Sequence, residues 1–433
     1  MILKYIPYSE FYLKGDSVER LAYMHRINAL YMIQRAGSGH IGTCFSSAEI
    51  MTRLYYEEMG PDDIFLSSKG HDVPLQYSIL AARGIIPFGD IHTFRQPDGL
   101  PGHPDIKTPG IVTNTGSLGM GISKGKGLAL AKKMKGEPGR VFVLCGDGEM
   151  AEGQNWEAFF QKLPDNLRVI IDCNGFGSDF KMKGLEIGNG VGCVESVFTK
   201  KGQGVSFMED AGEPYPYHSG ALSEEEYSLA LEELLPKAGN PKVVEVEKPN
   251  SRKNENKYQT PKNIKSLGRN CGEILTLLVN RDKNIIVLDA DLCIDHGLEV
   301  IRGKYPNQYI QCGIAEQDIV STAGGLALSG FIPVVHSFAA FLTRRANEQI
   351  YNNCTEGTHI IYVGSLAGPL PSNIGHSHEA FDDIALMKTM PGMTILEPGW
   401  NDIDKALRWA IYNTDGPVYI RLAAMPEIEG MRR

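Results

Sequence analysis

A chain of 433 residues has room for two or three ordinary domains, and its 42% apolar and 22% charged residues place it among folded globular proteins. A formal net charge of −9 argues against non-specific nucleic-acid binding, and no apolar run approaches the length of a membrane-spanning helix. Eight cysteines (Cys44, Cys145, Cys173, Cys193, Cys271, Cys293, Cys312 and Cys354) form no C-x-x-C pair, which argues against a zinc site. Together with an N-terminus lacking the pattern of a signal peptide, they predict a reducing, cytoplasmic setting with neither nucleic acid nor membrane as partner.

In chain order, the first helix is expected from Asp16, with Glu19 as its capping-box partner, to a stop at Gly37. Gly37-Ser38-Gly39-His40 then delivers a histidine on a flexible turn, before Ser46 and Glu49 as the expected caps of another helix. Two more glycine-histidine turns follow, ending at His71 and His103. Three such histidines predict a polar site built from loops. The glycine-rich stretch 114–122, with Gly116 and Leu118, precedes a helix to about residue 135, a junction able to turn backbone N–H groups toward phosphate.

Val141 to Leu144 form an unbroken apolar run, read as a buried parallel strand, which ends in Gly146-Asp147-Gly148. A second buried strand, Val169 to Ile171, runs into Asp172-Cys173-Asn174. Asp147 and Asn174 then stand at carboxyl ends of parallel strands, where open α/β sheets hold ligands, and their oxygens suit Mg²⁺ or Ca²⁺. Little regular structure is expected over 178–222. Ser223 and Glu226 cap a helix, and a strand over 242–247 closes the first half. The polar stretch 248–262 reads as a linker between domains at 1–247 and 263–433. In the second half a helix over 264–281 precedes strands at 285–288, 309–311, 332–335, 360–363, 394–396 and 418–420, with helices between them. The fold class is therefore α/β, with two open, mostly parallel sheets.

Gly148 and Asn174 are separated by 25 residues, the interval of the thiamine diphosphate signature. With Gly-Ser-Gly-His40, Ser-Lys-Gly-His71, Gly-His103-Pro, Gly116-Ser-Leu118-Gly, Leu-Asp-Ala-Asp291-Leu, Gly-Ile-Ala-Glu316-Gln and Phe338-Ala-Ala-Phe341, the sequence resembles the transketolase family almost end to end. The resemblance implies a diphosphate-binding domain, then a pyrimidine-binding domain, and a homodimer with thiamine diphosphate between the first domain of one protomer and the second of the other. Asp147, Asn174 and the backbone oxygen of Phe176 would hold Mg²⁺ (or Ca²⁺) on the diphosphate. Gly116, Gly146, Gly148 and Asp291 would contact the cofactor, Leu118 would wedge it into its folded shape, and Phe338 and Phe341 would stack on the aminopyrimidine as an i,i+3 pair. Glu316 would hydrogen-bond the pyrimidine, facing Glu152 across the interface. His40, His71, His218 and His378 would move protons on the substrate, with His103 beside them.

The family's pattern is broken at the substrate end. With the sequence ending soon after Tyr419-Ile420-Arg421-Leu422, the resemblance leaves the family's third, C-terminal domain expected to be absent, and the segment between Asn174 and Gly202-Gln203-Gly204 is short by about one strand–helix unit. Leu366 stands where the family has a channel histidine, and Ile374 where it has an aspartate that reads a sugar hydroxyl. Arg269 and Arg421 match its phosphate-binding arginines, but Asp295 replaces a serine beside them, so those arginines are open to pairing with carboxylates instead. The expected function is transfer of a two-carbon ketol unit from a ketose donor to a modified, deoxy or nucleotide-linked sugar or aldehyde acceptor. The alternatives are an acyloin synthase that decarboxylates pyruvate and a non-catalytic relative that binds thiamine diphosphate.

Overall fold

The computed structural model describes residues 1–12, 16–160, 162–178, 180–181, 193–249, 267–370 and 373–424. The chain divides into two compact units, Met1–Arg252 with Ser372–Ser377, and Lys253–Pro371 with His378–Arg433. The stretch expected as a linker lies, from residue 250 onward, outside the described residues.

In the first unit, strand β1 (Ile2–Tyr5) is followed by β2 (Ile64–Ser67), β3 (Val141–Gly146), β4 (Leu167–Cys173), β5 (Val194–Phe198) and β6 (Val244–Glu247). The middle four form a parallel sheet in the order β2-β3-β4-β5, while β1 and β6 pair antiparallel in a separate ribbon. β3 is buried along its whole length because helices cover both faces of the sheet. Phe142, Leu144 and Ile170 belong to the buried cluster that also takes in the apolar residues of helix Val18–Ala36, and Val141, Val143, Val169 and Ile171 to the one that includes Ile122 and Ala129 of helix Gly121–Lys135. That second helix lies so close to β3 that a Cβ on Gly125 would run into the Val143 side chain.

Three local expectations are corrected here. The first helix is capped by Ser17, whose Oγ accepts from Arg20 N at 3.2 Å, and Asp16 instead pairs with the Arg20 guanidinium at 2.5 Å. Ser46 ends a helix (Ile41–Ser46) rather than starting one, and Glu49 is held by the buried Arg26 at 2.5 Å. Within 178–222 the chain does form a strand: β5 adds in parallel to β4 at the edge of the sheet. Its Glu195 pairs with Arg168, residues 194–197 are half-buried and Phe198 is exposed, so it lacks the apolar signature of a central strand. Further along, Ser223 and Glu226 form the capping box of helix Glu224–Lys237.

The second unit carries β7 (Ile285–Asp289), β8 (Tyr309–Gln311), β9 (Ile332–Phe338), β10 (Ile361–Ala367), β11 (Thr394–Leu396) and β12 (Val418–Ala423). They form one parallel sheet in the order β11-β12-β10-β9-β7-β8. The register of β10 on β12 shifts between Gly364 and Ala367, and Leu366 sits within that irregularity at φ 52°, in the left-handed region that a branched side chain rarely adopts. The parallel sheets make both units α/β, and no helix of the described residues is long and apolar enough to cross a membrane.

Candidate active site

In the first unit four imidazoles gather at the ends of the glycine-rich turns. Ring centroids lie 5.3 Å apart for His40 and His71, 5.7 Å for His40 and His103, and 5.3 Å for His40 and His218. Burial drives all four well below the ordinary imidazole range, His71 to about 3 and His103 to about 4, so the cluster is neutral at physiological pH. Two tautomers are fixed by backbone oxygens. His71 Nδ1–H donates to the carbonyl of Lys69 and His103 Nδ1–H to that of Ile374, both at 2.7 Å, which leaves each Nε2 as the lone-pair nitrogen. Ile374 thus meets the cluster through its backbone. Gly116 packs against it so closely that a Cβ there would come within 2.5 Å of the His103 ring.

Beside this cluster the strand ends carry buried carboxylates. Asp147 accepts from Gly148 N at 2.9 Å and from Gly175 N at 2.7 Å, so the turn after β3 is tied to the turn after β4. Burial pushes its carboxyl up to about 6, against the pull of those amides. Asn174 Oδ1 accepts from Phe176 N at 3.1 Å, and Lys201 holds the same loop by donating to Gly177 O and Ser178 O at 2.6 Å. Glu149 is buried and accepts from Gly119 N at 2.8 Å and Gly146 N at 3.3 Å, joining the glycine-rich loop around the half-buried Leu118 to the end of β3. Glu152 is buried too, and a Cβ on Gly119 would overlap its side chain at 2.6 Å.

The charge balance shows what such a site could hold. Asp147, Glu149 and Asp172 are all buried, whereas Lys69 is the buried cation bonded among them, reaching Asp172 at 2.6 Å. Burial alone would raise Asp172, but Lys69 and the hydroxyls of Ser46 and Thr199 bring it below the usual carboxylate range. Asp147 is bonded by backbone amides and, among the described residues, by no cation, so it suits a divalent metal ion. Among the described residues no three His, Cys, Asp or Glu side chains cluster to hold a metal. A cation here would rest on one carboxylate, the Asn174 amide oxygen and the Phe176 carbonyl, with phosphate oxygens completing its shell, a hard donor set suited to Mg²⁺. The residues fit a magnesium-bound diphosphate.

The second unit carries an aromatic and acidic cluster of its own. Glu316 opens helix Glu316–Leu328 and is buried; its Oε2 meets Arg345 Nη1 at 2.6 Å and its Oε1 accepts from Ser337 Oγ at 3.4 Å. Phe338 ends β9 and Phe341 lies in helix Ala339–Arg345, so the two are brought together across a strand–helix junction rather than on one helical face. Their centroids are 5.8 Å apart, and His378 lies 5.0 Å from Phe341. Asp291 is buried at φ 63° in the turn after β7, its N–H donating to Gln311 at 3.0 Å. Behind Phe338, the buried His296 and His336 have centroids 5.2 Å apart, and His296 Nε2 bonds Ser365 Oγ at 2.6 Å.

Both arginines expected at a phosphate are engaged by carboxylates. Arg421 pairs with Asp383 at 2.8 Å and with Glu397, and Tyr419 OH adds a bond to Asp383 at 2.9 Å. Arg269 pairs with Glu299 at 2.9 Å and donates to the carbonyl of Ile294. Asp295 stands at an exposed position, yet the protein crowded around it pushes its carboxyl up to about 6 against the pull of Arg269. Sequence reasoning assigned no role to Lys69, Asp172, Lys201 or Arg345. Lys69 lay inside a recognised glycine-histidine motif, but Arg345 pairs with a residue 29 positions earlier and carries no local signal.

Residues 17–184 match the family described as transketolase, thiamine diphosphate binding domain, and residues 266–425 match transketolase, pyrimidine binding domain. Rat transketolase (Rattus norvegicus) is 30% identical over 467 residues, covering 94% of this chain and 73% of that protein. One of the subunits of an apulose-4-phosphate transketolase from Actinobacillus succinogenes is 35% identical over 277 residues, covering 53% of this chain and 97% of its own. The crystal structure of Campylobacter jejuni transketolase aligns with 95% of this chain and 79% of its own, at 20% identity and a TM-score of 0.49. The chain therefore belongs to the transketolase family, enzymes that transfer ketol groups with thiamine diphosphate and a divalent metal.

Proposed function

We propose that this chain moves a two-carbon ketol unit from a ketose donor to an acceptor unlike the common aldose phosphates, in a homodimer whose active sites form between protomers. Bound thiamine diphosphate supplies the nucleophilic carbon and stores the electron pair of the broken C–C bond. Asp147, Asn174 and the Phe176 carbonyl hold its metal. Gly116, Gly146, Gly148 and Asp291 line the cofactor, Leu118 shapes it, and Phe338 and Phe341 flank the pyrimidine. Glu316 holds a proton with the pyrimidine ring, and Glu152 is its counterpart across the interface. His40, His71, His218 and His378 hold and pass protons at substrate hydroxyls, and the neutral state and fixed tautomer of His71 suit that role.

The observation that carries the choice of acceptor is Arg421, committed to Asp383 and Glu397 rather than open to an anion. With apolar Leu366 and Ile374 at positions where the family is polar, this favours a less phosphorylated or otherwise modified sugar. A relative named for apulose-4-phosphate is consistent with substrates outside the common set. The test is incubation with thiamine diphosphate, Mg²⁺ and a donor (fructose 6-phosphate, hydroxypyruvate or pyruvate), with matched phosphorylated and unphosphorylated acceptors. Ketose consumption with unphosphorylated acceptors preferred is expected. Consumption of pyruvate alone, or a strict demand for phosphate, overturns the reading. Glu316→Ala should abolish turnover while diphosphate and metal still bind.

A further inference from the structure

Glu316 is not a solitary carboxylate. The guanidinium of Arg345 meets its Oε2 at 2.6 Å, with the glutamate 1% and the arginine 12% exposed. The same guanidinium lies 5.3 Å from the centroid of Phe341. Phe341 and Arg345 are four residues apart on helix Ala339–Arg345, so one helical turn carries both the aromatic platform and the cation. Ser337 donates to the other oxygen, Oε1, at 3.4 Å, a contact weak enough to be exchanged for a better partner. Of the charged side chains next in sequence, Arg344 pairs with Asp382, and Asp318 on the Glu316 helix is exposed.

A buried carboxylate without a cation becomes protonated, whereas one paired with a guanidinium, which cannot lose its own proton, stays ionised. We propose that Arg345 is a positioning residue: it keeps Glu316 ionised with Oε2 committed, so that only Oε1 is presented to the pyrimidine ring. The proton of that hydrogen bond cannot then come from Glu316. It is taken up from solvent as the cofactor binds, one proton per site, and it sits on the cofactor side of the bond. Without Arg345, Glu316 is already protonated before the cofactor arrives and no such uptake is needed. The inference rests on the proposed role of Glu316 as the carboxylate that hydrogen-bonds the pyrimidine ring.

The test is calorimetry of thiamine diphosphate binding to the full chain with Mg²⁺ at pH 7.5, in two buffers of different ionisation enthalpy, which counts protons taken up. Relative to the parent protein, Arg345→Met and Glu316→Gln should each take up about one proton fewer per site, and Arg345→Lys should restore part of the difference. Should Arg345→Met fail to fold, Arg345→Gln is measured in its place, with the near-ultraviolet circular dichroism of the bound cofactor as a second readout. Uptake unchanged in the Arg345 variants but reduced in Glu316→Gln overturns the inference and leaves Glu316 in its role. Full turnover by Glu316→Ala overturns the underlying reading instead.

Discussion

Acidifying the cofactor-free protein should loosen the first unit far more than the second. Five histidines of the first unit (His25 and His103 buried, His40, His71 and His218 partly so) are held neutral by the protein packed around them, and the buried His296 and His336 are their counterparts in the second. A depressed folded pKa gives stability that is complete above the unfolded value near 6.5 and is lost as pH falls toward the folded one. Between pH 7.5 and 5.5 the unfolded chain protonates each such histidine and the folded chain does not, a loss of about 1.4 kcal/mol apiece. Buried acids with raised pKa act in the opposite sense, because the folded state takes up the proton first. Asp289, pushed by burial and by Asp291 up to about 7, returns about 2 kcal/mol over this interval, and Asp147, at about 6, returns about 0.8. The first unit therefore loses up to about 6 kcal/mol, less what the buried Asp72 and Glu149, also raised by burial, return, and the second less than about 1. Hydrogen exchange at both pH values, corrected for intrinsic rates, reads this directly: protection should fall across β2, β3 and β4 while β7, β9 and β10 keep theirs. Asp289→Asn should make the second unit acid-sensitive by about 2 kcal/mol. Equal loss in both units, or earlier loss in the second, would refute the reasoning.

Three further outcomes follow from the packing. Lys69→Met leaves Asp172 buried beside Asp72 without a cation and should cost about 3–5 kcal/mol in chemical denaturation, with protonation at low pH recovering part of the loss. Arg421→Ala strips the buried Asp383 of its ion pair and should cost a similar 3–5 kcal/mol; a nearly neutral result would mean that the arginine is free in solution and available to an anion after all. Gly116→Ala puts a methyl group against the His103 ring at a backbone φ of 112°, and should both lower the melting temperature and weaken cofactor binding in a titration followed by tryptophan fluorescence.

Much of the fold is written in local runs. β3 and β4 are unbroken apolar stretches because helices cover both faces of their sheet, and Ser223 with Glu226 declares a helix start within four residues. β5 escaped because an edge strand whose Glu195 pairs with Arg168 needs no apolar periodicity. β1 escaped because its partner lies more than two hundred residues away. The same division holds at the site. The glycine-histidine turns and the Asp147–Asn174 spacing are legible because backbone geometry demands particular residues at fixed intervals. The ion pairs Lys69–Asp172, Glu316–Arg345 and Arg421–Asp383 join residues from different elements. Nothing in either partner's neighbourhood specifies the other.

The β1–β6 ribbon also bears on how the first unit can be made. It pairs Ile2 with Glu247, and Lys248 N–H donates to the carbonyl of Met1 at 3.0 Å, so the start of the chain and the exit from this unit's last strand lie side by side. A break in the backbone just beyond Lys248 would sever no strand or helix of the described residues. The unit is thus laid out like a cassette in all but one respect: Ser372–Ser377 belongs to it from far along the chain, and such a break would part the Ile374 carbonyl from the polypeptide that carries His103.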